Sequence, residues 1–351
     1  MLILVLNEDN LTESFYPLTL TRRLIDLKAG IFSIKEKWEA IASNQDIELA
    51  IISKIDDTQP AIKSIPANFI PPATLDLISF FREDTELDKL GFKKVNHLWD
   101  ILALNNWLIE NDIQLIKNQE IDRSKAKITG DYPLITGSNV VIEHCLINTM
   151  EGPVFIDDNA HIMDGAMLRG PLCIGKHTVI KMGAMIYGGT SIGANCIIGG
   201  EIKNTTIQDY SNKAHHGYIG NSFIGEWCNL GAGTSGSNLK NTLGEIKVWD
   251  IANKVYFNAG KKVGFFMGDH VKTAINTGFN SGTVIGPCSN IFENEGLTLK
   301  YIESFSWGGK SNFKYELEKL IIEIKRWMEL KNIAFSSDNE EIIRTLYFKT
   351  K

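Results

Sequence analysis

Two adjacent histidines, His215 and His216, lie in the run Ser211-Asn212-Lys213-Ala214-His215-His216-Gly217-Tyr218, twelve residues beyond Lys203. An imidazole, with an ordinary pKa of about 6.5, can take the proton that an amine or hydroxyl loses as it attacks an electrophilic carbonyl. Lysines such as Lys203 and Lys213 can bind an anionic group. Backbone N–H groups at an irregular turn could hold a tetrahedral oxyanion, an effect of about 2.7–4 kcal/mol per donor. The competing reading is that both histidines are hydrogen-bonded loop residues with no chemistry to do.

Positioning such a set requires a scaffold, and the sequence supplies one as a six-residue period. Stepping from Ile156 gives Ile162, Leu168, Ile174, Ile180, Ile186, Ile192 and Ile198, with mostly small residues four places after each. The frame returns at Ile224 and Leu230, then at Met267, Thr273, Phe279, Ile285 and Ile291. Neither a helix nor a simple hairpin sheet keeps that period. Short strands separated by sharp corners do, winding a three-sided coil that buries one aliphatic ladder per face. Each buried Ile or Leu is worth about 1.5–3 kcal/mol, realised only by stacking. The frame is expected to break over 200–222 and again over an insertion at 234–266, and departures of this kind often carry function.

The flanks have another texture. A strand at 2–6, a helix from about Arg23 to Ala42 and a strand at Leu49-Ala50-Ile51-Ile52 predict a Rossmann-like βαβ start. Pro60, Pro66, Pro71 and Pro72 mark a loop-rich middle, and Leu98, Ile101, Leu102, Asn105, Leu108 and Ile109 form one face of a helix. Near the end, Leu317, Leu320, Ile321, Ile324 and Met328 follow a helical period, and Ser337 with Glu340 predicts the cap of a last helix. The expected units are therefore 1–127, an α/β domain; 128–300, the β-helix; and 301–351, a helical segment.

The 351 residues carry a net charge of −6, which argues against a nucleic-acid or anionic-membrane partner. The apolar opening lacks a basic flank and a cleavage site, and no run reaches membrane-spanning length, so the cytoplasm is the expected compartment. Five cysteines without C-x-x-C spacing read as small buried hydrophobes. Seven scattered histidines show no ligand spacing, so no metal is expected in the β-helix.

The histidine run, continued through Gly225-Glu226-Trp227-Cys228-Asn229-Leu230-Gly231-Ala232-Gly233-Thr234, resembles the acetyltransferase half of the bifunctional glucosamine-1-phosphate acetyltransferase/N-acetylglucosamine-1-phosphate uridyltransferase family. The run also resembles a bacterial branch of sugar-nucleotidyltransferase-like proteins that shares Ser304-Phe305-Ser306-Trp307-Gly308-Gly309. The resemblance implies a single-stranded left-handed parallel β-helix, a trimer with sites between subunits, and acetyl-coenzyme A as co-substrate. It places His215 on the general base, Lys203 on a phosphate-binding lysine, Tyr218 and Asn229 on sugar contacts, and Gly231, Ala232 and Thr234 on the coenzyme A wall. One residue fewer separates the histidine from the following glycine here, so His216 competes with His215.

The N-terminal segment resembles a truncated nucleotidyltransferase domain. Where that family has a glycine loop to cradle phosphates, this chain has Asn7-Glu8-Asp9-Asn10-Leu11-Thr12-Glu13-Ser14-Phe15, with three carboxylates and no glycine. Arg22 and Arg23 are the candidate substitutes for the lost cation. Three readings follow: acetyl transfer to an amino sugar phosphate or sugar nucleotide; sugar-1-phosphate nucleotidyl transfer with Mg2+; or a non-catalytic protein that binds a sugar nucleotide.

Overall fold

A computed structural model describes residues 2–52, 63–116, 126–292, 296–308 and 313–350; Pro60 and Gly309 lie outside them. Strand β1 (Leu2–Asn7) is central in a parallel three-stranded sheet, flanked by β2 (Leu49–Ile52) and β3 (Lys63–Pro66). The connection from β1 to β2 is helical, but not from Arg23. A short 3-10 turn covers Leu24–Asp26, and helix α1 runs Ile34–Asn44. Its start is fixed by a capping box in which the Ser33 side chain accepts the Glu36 N–H and the Glu36 carboxylate accepts the Ser33 N–H. Helices α2 (Leu77–Arg82) and α3 (Leu98–Ile113) complete this part.

From Ala126 to Gly308 the chain winds as a parallel β-helix of about ten turns with three faces. The first face stacks nine strands from Leu134–Thr136 to Tyr301–Ile302, and the second stacks nine from Val141–Ile142 to Trp307–Gly308. The third stacks six from Ala126–Thr129 to Tyr218–Gly220, then continues as the pair Ser235–Gly236 and Gly278–Phe279. The eight frame residues from Ile156 to Ile198 are each no more than 2% exposed, so the period does place one aliphatic side chain inward per face.

The frame slips over 200–222 but does not break. Strands continue at 201–203, 206–207, 212–213 and 218–220, with Ile198, Ile202 and Ile207 only four and five residues apart. Ile219 and Ile224 are again five apart, so three corners are shortened, and the ladder itself persists. The 234–266 insertion leaves the coil as an antiparallel hairpin, Lys247–Asp250 with Val255–Asn258.

The first face is buried on both sides. Its outward residues Ile135, Phe155 and Cys173 meet Ile31 and Ile109 of the α/β part, and Phe223, Phe266 and Val284 join that part's own core. Helices α4 (Leu317–Glu329) and α5 (Ser337–Lys349) pack against the corner between the first and second faces through Trp227, Cys288 and Phe305. Ser336, not Ser337, caps α5, its hydroxyl accepting the Asn339 N–H at 3.2 Å; Ser337 is already the first helical residue.

Candidate active site

His215 and His216 occupy the corner where the chain passes from the second face (Asn212–Lys213) to the third (Tyr218–Gly220). Both side chains are exposed, and among the described residues neither ring nitrogen has a hydrogen-bond partner. The corner turns at Gly217, where φ is +122° and an added Cβ would lie 2.2 Å from the Thr234 carbonyl oxygen. Only glycine fits there. The Gly217 carbonyl accepts the Glu201 N–H, and the Gly233 N–H donates to the His216 carbonyl, tying the corner to the coils on either side.

The third face brings Lys203 and Tyr218 together. Glu201 pairs in register with Tyr218, and Lys203 with Gly220. Lys203 is exposed, its ammonium 5.4 Å from the centre of the Tyr187 ring. The Tyr218 hydroxyl accepts from the Asn238 amide at 3.0 Å, and that amide also donates to Asn221 at 2.7 Å. Burial raises the Tyr218 phenol above its ordinary range. Asn238 belongs to the insertion, so the insertion orients Tyr218. No sequence signal marked it.

Lys213 is not placed to meet a phosphate from outside. It pairs in register with Ile198, points into the prism at 1% exposure, and donates to the carbonyls of both His215 and His216. Burial without a carboxylate partner pushes its ammonium down to about 8. Asn229 stands on the second face, in register between Asn212 and Lys272, and so not on the face of Lys203 and Tyr218. Gly231 and Ala232 form the next corner. The Gly231 N–H is taken by the Thr273 carbonyl and hydroxyl, at 3.2 and 3.1 Å. Thr234 is fully buried, its hydroxyl 2.9 Å from that of Thr273, so its side chain does not reach the surface.

The N-terminal cations are engaged elsewhere. Arg22 bridges Glu226 at 2.5 Å and Asp269 at 2.6 Å, both on the β-helix, and Asp269 also accepts from Thr21. Arg23 pairs with Glu8 at 3.0 Å, and the same carboxylate accepts the Ile25 N–H. Among the described residues, no group of three or more His, Cys, Asp or Glu side chains is placed to hold a metal ion, and no helix is long and apolar enough to cross a membrane.

Comparison with known proteins gives a consistent picture. A family model for sugar nucleotidyl transferase matches residues 4–75. The bifunctional sugar-1-phosphate nucleotidylyltransferase/acetyltransferase of Sulfurisphaera tokodaii is 32% identical over 55% of this chain and 43% of its own length. The bifunctional protein GlmU of Methanococcus aeolicus is 35% identical over 66% of this chain and 51% of its own. That of Methanococcus maripaludis is 31% identical over 83% and 64%. The chain spans about half the length of the curated relatives it matches.

Proposed function

We propose that this chain, a relative of bifunctional sugar-1-phosphate nucleotidylyltransferase/acetyltransferases, moves an acetyl group from acetyl-coenzyme A to an amino sugar phosphate or sugar nucleotide. The observation that carries this reading is the corner at His215 and His216. Two exposed imidazoles without partners among the described residues stand beside a face bearing Lys203 and Tyr218. The acceptor nitrogen attacks the thioester carbonyl carbon, the C–S bond breaks, and the proton lost by nitrogen passes to the His215 ring and on to the departing thiolate. Lys203 holds the acceptor phosphate, and Tyr218 and Asn229 contact the sugar. Gly231 and Ala232 line the coenzyme A path, with the Thr234 side chain supporting that corner from inside.

Asn229 and the Lys203–Tyr218 pair stand on different faces, which favours a site completed by a neighbouring copy. The third face offers a seat for one: Leu146, Met167 and Met185 form an outward column in register, along a groove of about 400 Å³ that also includes Tyr187. A homotrimer in the cytoplasm, where acetyl-coenzyme A is available, fits this arrangement. Nucleotidyl transfer with Mg2+ is the second reading, favoured by the match at 4–75. Against it, Arg22 and Arg23 are already spent on carboxylates.

The test is thiol release from acetyl-coenzyme A in the presence of glucosamine 1-phosphate and a panel of related sugar phosphates. Thiol release with at least one acceptor is expected, and none with any acceptor contradicts the proposal. Pyrophosphate release from a nucleoside triphosphate with Mg2+ and a sugar 1-phosphate would establish the second reading.

A further inference from the structure

Lys213 stands where the ladder calls for an aliphatic side chain. The inward slot runs Ile162, Ile180, Ile198 and then Lys213, each in register with the one before. A lysine there loses its hydration, and no carboxylate pairs with it among the described residues. What it gains is local. Its amino group donates to two successive carbonyls, those of His215 and His216, the second at 2.8 Å. With both carbonyls drawn inward, both imidazoles leave the corner outward. The His216 carbonyl is shared with the Gly233 N–H at 3.1 Å, so this latch joins the ladder, the corner and the following coil. A neutral amine still has two N–H groups, enough for both carbonyls, so the latch holds whether or not Lys213 is protonated.

We infer that Lys213 is a positioning residue: it does not touch substrate, but it fixes the two peptides from which the His215 and His216 rings project. This inference rests on the acetyl-transfer reading for its consequence on rate, and on geometry alone for its consequence on the rings.

The experiment uses the full chain and its Lys213→Met and Lys213→Gln variants, with three readouts: thermal unfolding, kcat and KM for acetyl transfer to glucosamine 1-phosphate, and the long-range ¹H–¹⁵N spectrum of the histidine rings. Methionine suits the aliphatic slot, so Lys213→Met is expected to unfold at or above the parent temperature. Its kcat should fall roughly 10- to 100-fold, with KM for acetyl-coenzyme A within about twofold, because misplacing a base costs rate more than binding. The ring signals of His215 and His216 should move or broaden, while those of His97, His144 and His161 stay. Lys213→Gln, which keeps an N–H donor, should recover part of the lost kcat. Unchanged kcat and unchanged His215 and His216 signals in Lys213→Met would overturn the inference. If the parent chain transfers no acetyl group, the acetyl-transfer reading fails by itself and the ring spectrum decides: moved signals support the latch and unmoved ones overturn it. If Lys213→Met does not fold, the same criteria are applied to Lys213→Leu, which also lacks an N–H donor.

Discussion

A lysine inside an apolar prism makes a claim about pH as well as geometry. Burial pushes Lys213 down to about 8, and Lys272, whose ammonium donates to the Trp227 carbonyl, is likewise pushed down to about 8. A cation whose native pKa lies below its unfolded value binds fewer protons in the folded chain. Its unfavourable contribution is therefore full below about pH 8 and fades as pH rises towards the ordinary lysine value of about 10.4. The denaturant midpoint of the parent chain should climb between pH 8 and 10, and Lys213→Met should climb less; identical slopes would contradict this. The residues of the site were legible to different depths. The His215–Tyr218 run stood out in the sequence because it resembles a family's catalytic motif. The inward direction of Lys213 did not, because the frame slips by shortened corners just before it and the six-residue count no longer reaches it.

Among the elements, the corner between the first and second faces shows why the ladder was readable and its covering was not. Nine residues there take left-handed φ between 55° and 62°, from Asn139 and Asn159 through His177 and Asn195 to Tyr210, Trp227, His270, Cys288 and Phe305. Asparagine tolerates that conformation, whereas aromatic residues adopt it at a cost. Tyr210 and Trp227 offset part of it by stacking at 4.2 Å, and α4 and α5 bury the far end of the column. The helical period of α4 was visible in the sequence; which surface it would cover depended on these corner residues, which are unevenly spaced (15 to 20 apart, and 43 across the insertion) and of no common type. In the α/β part, Lys37 of α1 and Asp112 of α3 are wholly buried and joined at 2.5–2.6 Å, and Asp112 also accepts the Ile31 N–H. Removing one partner strands the other charge. Asp112→Ala should cost about 3–5 kcal/mol by denaturant unfolding, while a loss below about 1 kcal/mol would show that the pair is not the strut described here.

At the scale of the molecule, the α/β part covers the first face, the terminal helices cover the adjoining corner, and the third face keeps an apolar column leading to Glu201 and Tyr218. Leu146 and Met167 are exposed on that face, where the proposed reading seats a second copy. Light scattering should report a trimer for the parent chain, and Met167→Glu should dissociate it and lower acetyl transfer together; a monomeric parent with full activity would contradict the shared site. The α/β part keeps the βαβ order read from the sequence, and Arg22 serves as its anchor to Glu226 and Asp269. That use could not be read from a sequence in which these residues lie more than two hundred positions apart. On the proposed reading, the histidine corner takes the proton of an acyl acceptor. The most direct measurement of this is the rate of thiol release from acetyl-coenzyme A with glucosamine 1-phosphate by the parent, His215→Ala and His216→Ala chains. The account predicts loss of at least about 10²-fold in His215→Ala, with thermal unfolding nearly unchanged and His216→Ala far less affected. Loss in His216→Ala alone would move the base one residue along, and full activity in both variants would contradict the account.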